Sequence, residues 1–226
     1  MTGIIFDFNG TLVSDSHLHE QAWVDIIQKY RPEITAKEII AYIHGRTNDK
    51  TIAHFLGEVS DEDYQKIVKE KELDYQAQVK KEQLRLIEGT EEFLDYLVKN
   101  KVPFTIATAS PKLNVDFYFS YFNLGRWFNP TRVIYDDDTF PGKPEPDIYI
   151  KAAELIGYKP ADCIVFEDAV TGIKSANAAG IKEVYVMVES EEKTKHLETD
   201  ILHYKQIITN FYDVSELFNK NQLITK

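Results

Sequence analysis

The chain has 226 residues, 43% of them hydrophobic, and carries 37 acidic against 26 basic side chains for a formal charge of −11. That is enough apolar material for one large domain, or for a core with an inserted subdomain, while the negative field argues against nucleic acid and anionic membrane as partners. Cys163 is the single cysteine, so no internal disulfide forms, and a soluble protein of the reducing cytoplasm is expected.

From Met1 the chain runs almost directly into IIFDF, with no basic segment or cleavage pattern, and no apolar run approaches bilayer length. Neither secretion nor membrane insertion is expected. IIFDF is short, apolar and rich in β-branched and aromatic residues, and Asn9-Gly10-Thr11 follows it as a turn. This predicts a buried strand with Asp7 at its C-terminal end. From Ser16 to about Leu86 the pattern is helical: AWVDIIQKY, a capping box from Thr35 to Glu38 opening EIIAYI, then TIAHFL, then a long charged helix after Ser60. After Gly89 helices and strands alternate: EEFLDYLVKN, strand FTIAT, a helix from Pro111, strand RVIY, helix PDIYIKAAELIG, strand CIVF, helix TGIKSANAAG and strand EVYVMV. Beyond Glu189 the chain is strongly charged up to Lys205; QIITNF then reads as a last strand and YDVSELF as a short helix.

Strands alternating with helices imply an α/β fold, a doubly wound and mostly parallel sheet that binds ligands beyond its strand C-termini. The helical block is an insert just after the first strand. The expected division is a Rossmann-like core of residues 1–15 and 86–226 with an α-helical cap of residues 16–85, placed to exclude water from a site at that edge. The aromatic run FYFSYF and the pair Trp127-Phe128 are expected mostly to pack against the sheet.

Polar groups close four successive strands or their loops: Asp7 after IIF, Thr108 after FTIA, Lys143 in PGKPEPD, and Glu167-Asp168 after CIVF. Singly they have plain structural readings, as a turn-former, a solvated lysine and a helix-start charge. Brought together they suit phosphoryl transfer. A carboxylate can attack phosphorus, carboxylates hold a hard cation, and a lysine and a hydroxyl hold anionic oxygens.

The segments DFNGT, TAS, GKPEPDIY and FEDAVTGIKSANAAG resemble the four motifs of the haloacid dehalogenase superfamily, in its subgroup with an α-helical cap, and the resemblance spans essentially the whole chain. That subgroup includes β-phosphoglucomutase and many sugar-phosphate phosphatases. The resemblance implies that Asp7 is the nucleophile that becomes an aspartyl-phosphate, that Thr108 and Ala109 bind the transferring phosphoryl group, and that Lys143 neutralises charge there. It also implies a Mg²⁺ site served by Asp7, Glu167, Asp168 and the backbone carbonyl of Asn9, with Asp168 the more direct of the acidic pair.

Asn9 departs from the phosphatase pattern D-x-D-G-T, in which the second Asp protonates the leaving oxygen and then activates water. An amide cannot relay a proton, and general acid-base help is typically worth about 10²–10⁴-fold. Members that cleave carbon-halogen or carbon-phosphorus bonds also lack an acid there. The Glu167-Asp168 pair argues against halide displacement, which needs no divalent metal. In the cap, His19 resembles a histidine at the hinge in several members, while Asp15 falls one residue later than the usual Asp, with Ser14 in its place. The turn HGRTNDK offers Arg46 and Lys50, with His44, to a substrate's distal anionic group, or is a helix connector with solvated charges. Lys112 has the same two readings, near the phosphate or exposed in a first helical turn. The run Asp136-Asp137-Asp138 reads as solvated surface.

The function expected is thus a Mg²⁺-dependent phosphatase of a small phosphorylated, sugar phosphate-like metabolite, acting as a monomer or weak homo-oligomer, with phosphomutase chemistry within reach. One alternative is a carbon-phosphorus hydrolase, for which Lys50 does not sit convincingly in the place of the cap lysine that chemistry uses. The other is a phosphometabolite-binding protein with weak catalysis.

Overall fold

In chain order the helices are α1 (Ser16–Tyr30), α2 (Ala36–Ile43), α3 (Asn48–Leu56), α4 (Asp61–Glu82), α5 (Thr90–Lys99), α6 (Lys112–Tyr121), α7 (Asp147–Leu155) and α8 (Val170–Ala178). The strands are β1 (Gly3–Phe6), β2 (Phe104–Pro111), β3 (Ile134–Asp136), β4 (Cys163–Glu167), β5 (Glu183–Met187) and β6 (Gln206–Ile208). These come from a computed structural model that describes residues 2–43, 47–137, 139–188, 202–212 and 214. Internal contacts divide the chain into Met1–Ser14 with Arg85–Lys226, which holds β1 to β6, and Asp15–Leu84, which holds α1 to α4.

The six strands form one parallel sheet in the order β3-β2-β1-β4-β5-β6. The chain steps outward from β1 through β2 to β3, then returns to the other side of β1 for β4, β5 and β6. That reversal at β1 opens a crevice beyond the strand C-termini, where such sheets hold ligands. The doubly wound parallel sheet anticipated from the alternation of elements is therefore present, and its register sets the site. Phe6 pairs with Ile106 on one side and Phe166 on the other, so Asp7 emerges between β2 and β4 and donates its N–H to Phe166 O at 2.9 Å.

β1 is buried on both faces, which is why it reads as a continuous apolar run. On one face Phe6 stacks on Phe166 at 5.1 Å and meets Phe93 and Phe211 edge-on. On the other, Ile5 and Val165 pack with Tyr149, Ala152 and Ile173. Phe128 joins the first cluster, edge-on to Phe104 at 5.0 Å. Trp127 does not: its ring is half-buried, its indole N–H donates to Asp95 at 2.6 Å, and Arg126 lies 4.3 Å over it. Only one ring of that pair packs on the sheet, because adjacent residues leaving the 3-10 turn Leu124–Arg126 take different directions. The charged stretch of residues 189–201 and most of the expected helix YDVSELF lie outside the described residues.

In the helical unit the capping box is formed: Thr35 N donates to Glu38 Oε2 at 2.9 Å and Glu38 N to Thr35 Oγ1 at 3.3 Å. Ser60 caps α4 by accepting from Asp63 N at 3.1 Å. Trp23, Ile27, Ile39, Ile52, Phe55 and Ile67 make its apolar core. Beside that core lies a buried polar group. Lys71 is 4% exposed and Glu72 2%, with Lys71 Nζ at 3.0 and 3.1 Å from the two Glu72 oxygens. His19 stacks on Tyr75 at 3.9 Å, Tyr75 donates to Asp15, and Lys71 Nζ is 3.2 Å from His19 Nδ1. Among the described residues, no helix is long and apolar enough to cross a membrane.

Candidate active site

The site begins at Asp7, buried just past the end of β1. Lys143 donates to Asp7 Oδ1 at 2.7 Å and also to Glu167 Oε1. Burial alone would lower the pKa of Lys143, but the two carboxylates outweigh it and hold the ammonium well above its ordinary value. The lysine is therefore a fixed positive charge against Asp7.

Glu167, 1% exposed, is fully engaged. Its Oε1 takes Lys143 and the Tyr149 hydroxyl at 2.9 Å, and its Oε2 takes the N–H groups of Asp168 and Ala169 at 2.8 Å each. Burial first, then the Glu167 charge, push the Tyr149 phenol well above its ordinary value, which keeps it a donor. The carboxylate fits against α8 because position 172 is glycine: a Cβ there would stand 1.7 Å from Glu167 Oε1. Gly10 answers a second such need. Its φ is +75° and a Cβ would meet Asp168 Oδ2 at 2.0 Å, so the turn after β1 can close on Asp168, which also accepts from Thr11 Oγ1 at 3.3 Å.

Asp7, Glu167 and Asp168 each present an oxygen within 4.8 Å of the others. Three carboxylates are the hard donor set a divalent cation such as Mg²⁺ takes, so the residues present fit that ion.

Asn9 sits among hydroxyls. Its Nδ2 donates to Tyr118 Oη at 2.8 Å, and its Oδ1 accepts from Ser110 Oγ at 2.7 Å and more distantly from Thr108 Oγ1 at 3.5 Å. Thr108 Oγ1 in turn accepts from Ser110 N at 3.1 Å, while Ala109 between them is exposed at the strand end.

The structure thus gathers Asp7, Asn9, Thr108, Lys143, Glu167 and Asp168 within the sheet unit. His19 belongs to the helical unit and is held there by Tyr75 and Lys71. Arg46 and His44 lie outside the described residues, and Lys50 is exposed in the first turn of α3. Lys112 is exposed and pairs with Asp116 at 2.5 Å, the surface reading of that residue. Asp137 closes a local turn with Thr139, and Asp138 is outside the described residues.

Four participants escape sequence reasoning: Thr11, Ser110, Tyr118 and Tyr149. Ser110 stands inside the TAS segment, and its place there is a usable signal. Tyr118 falls in the run expected to pack, and its ring does stack on Phe8 at 4.2 Å; nothing in the helical spacing tells where the hydroxyl ends.

The family described as haloacid dehalogenase-like hydrolase matches residues 4–186 of this chain, and the chain belongs to that family. Hexitol phosphatase A of Escherichia coli (strain K12) is 27% identical over 207 residues, covering 92% of this chain and 93% of that protein. A Drosophila melanogaster protein named "Probable pseudouridine-5'-phosphatase" is 32% identical over 211 residues, covering 87% of each. The crystal structure of a HAD hydrolase, family IA, variant 3, from Entamoeba histolytica HM-1:IMSS superimposes over 100% of both chains with a TM-score of 0.86 at 35% identity.

Proposed function

We propose that this chain is a phosphatase-type hydrolase that removes phosphate from a small, sugar phosphate-like metabolite, with Asp7 as nucleophile. The observation that carries the reading is the buried lysine shared between Asp7 and Glu167 at the C-terminal ends of neighbouring strands. A substrate phosphoryl group beside Asp7 would meet the Lys143 ammonium and the Thr108 hydroxyl, which offset its charge as a carboxylate oxygen of Asp7 bonds to phosphorus. Glu167 acts through Lys143, fixing the ammonium against Asp7 while Tyr149 and two backbone N–H groups fix Glu167 itself.

Asp7 and Asp168, with the carbonyl of Asn9, are the groups that would hold Mg²⁺, Glu167 closing the same carboxylate cluster. When bound, that ion supplies positive charge to the phosphoryl oxygens. The names of the relatives, hexitol and pseudouridine-5'-phosphatases, support a phosphorylated polyol or sugar as the substrate class. A cytoplasmic enzyme acting as a monomer or weak homo-oligomer fits the acidic surface and the single buried cysteine.

Asn9 favours a second reading, a phosphometabolite binder with little turnover. Phosphate release from a panel of sugar and polyol phosphates, with Mg²⁺ and for wild type and Asp7→Asn, separates the two. Release by wild type that vanishes in Asp7→Asn is expected. Tight binding of a panel member with no release by wild type would establish the binder.

A further inference from the structure

Lys143 reaches Asp7 and Glu167 from the loop of residues 141–146, whose sequence PGKPEP is poorly equipped to hold itself. Its three prolines offer carbonyls but no N–H groups. Glu145 N donates to Gly142 O at 3.1 Å, and Pro146 O accepts from Tyr149 N at 3.1 Å as α7 begins. Gly142 and Glu145 are exposed, whereas the side chain of Lys143 is 7% exposed. A buried charge is thus carried on a backbone that largely faces solvent.

Helix α8 supplies a donor to that loop. Ser175, 0% exposed, donates from Oγ to Glu145 O at 2.6 Å, and the direction is fixed because a carbonyl only accepts. Ser175 stands three residues beyond Gly172, the position against which the Glu167 carboxylate fits, and residues three apart share a helix face. One face of α8 therefore places both the Glu167 carboxylate and the backbone two residues after Lys143. The ammonium sits between these placements, 2.7 Å from Asp7 Oδ1, bonded to Glu167 Oε1 and 5.1 Å from the centre of the Tyr149 ring. A lysine stem is flexible, so a loop that drifts from α8 would let the ammonium stay with Glu167 and leave Asp7.

We propose, resting on the phosphatase reading for what the position of Lys143 is worth, that Ser175 is a positioning residue for Lys143. Through the Glu145 carbonyl it ties the lysine's loop to the helix that also seats Glu167, and so keeps the ammonium on Asp7. Ser175 touches neither Asp7 nor the place of a phosphoryl group beside it; its effect passes through backbone. The polar side chain buried on α8 thereby belongs to the site, although it lies on a helix face that otherwise presents small residues to the core.

The test compares wild type with Ser175→Ala, which suits a helix, and with Ser175→Cys, which fills the hydroxyl's space with a poor donor. Reductive methylation of Lys143, mapped by peptide mass, reads the lysine directly; alkylation of the buried Cys163 reads general loosening of the same unit. kcat/KM is measured with Mg²⁺ on 4-nitrophenyl phosphate and on a panel of sugar and polyol phosphates. Ser175→Ala should label Lys143 several-fold faster with Cys163 unchanged, and should lower kcat/KM by about 10–100-fold. Ser175→Cys should show both changes in smaller degree, so a folding fault in one variant does not decide the matter. Unchanged labelling of Lys143 would overturn the proposal. So would labelling of Lys143 and Cys163 that rises in parallel, which makes Ser175 a general support, or faster labelling of Lys143 with kcat/KM unmoved. Absence of phosphate release by wild type itself would instead remove the phosphatase reading, with the two labelling rates still deciding whether Ser175 holds Lys143.

Discussion

Both units of this chain bury a lysine against carboxylates, and they assemble the arrangement by opposite means. In the sheet unit Lys143 meets Asp7 and Glu167 across 136 and 24 positions of sequence, each delivered by a different strand or loop. In the helical unit Lys71 meets Glu72, its neighbour on α4, and His19 on α1. The first cluster exists only when β1 and β4 pair in register, with Lys143 carried onto their ends by its loop, so fold and site are one event. The second is mostly local and supports the packing of two helices. A buried ion pair is costly to break in either place, and what differs is whether its loss is read in catalysis or in stability.

Substitutions that remove the charge separate these roles. Asp7→Asn should bring phosphate release down to the buffer level, measured by steady-state assay, because Glu167, the other carboxylate on Lys143, is held in place by Tyr149 and two backbone N–H groups. Lys143→Met should lower kcat/KM by about 10²–10⁴-fold, since it removes the charge beside the phosphoryl group. Lys71→Met should instead cost about 3–5 kcal/mol in urea unfolding by removing the ammonium that offsets the buried Glu72 charge, and the pair Lys71→Met with Glu72→Leu should recover most of that loss. If Lys71→Met proved as damaging to turnover as Lys143→Met while unfolding normally, the contrast between the units would fail.

Smaller effects sharpen the same contrast. Gly172→Ala places a methyl group against Glu167 and should cost about 1–3 kcal/mol together with a fall in turnover, because the carboxylate that must move also holds Lys143. Ser60→Ala removes the cap of α4 and should cost about 1 kcal/mol with no change in turnover. Cys163 is the mildest probe. Burial pushes its thiol up to about 11, so alkylation at neutral pH should be slow in the folded protein and rapid in urea.

Much of the sheet unit is legible because its elements announce themselves by period and its candidate site residues stand at strand ends. IIF, FTIA and CIVF are short apolar runs rich in β-branched and aromatic residues that read as buried strands, and the polar residue closing each one is conspicuous. Tyr149 and Tyr118 are not legible, because each lies on a helix face where an aromatic ring is ordinarily core. Both rings are indeed buried, and only the hydroxyl, one bond from the packing surface, reaches the polar groups gathered at the strand ends. The buried pair Lys71-Glu72 is hidden for another reason: α4 is so rich in charge that nothing in its pattern marks two of those charges as facing inward. Trp127 shows the reverse case, an apolar signal that a neighbouring Asp95 and Arg126 hold at the surface.

The claim on which the account depends is that Asp7, charged and held by Lys143, is the group that receives the phosphoryl moiety. Wild type and Asp7→Asn, each mixed with acetyl phosphate and Mg²⁺, quenched in acid and digested, can be compared by mass spectrometry. The account predicts one added phosphoryl group on the peptide containing Asp7 in wild type and none in Asp7→Asn. An adduct that persists in Asp7→Asn, or that maps to another peptide in wild type, would contradict it.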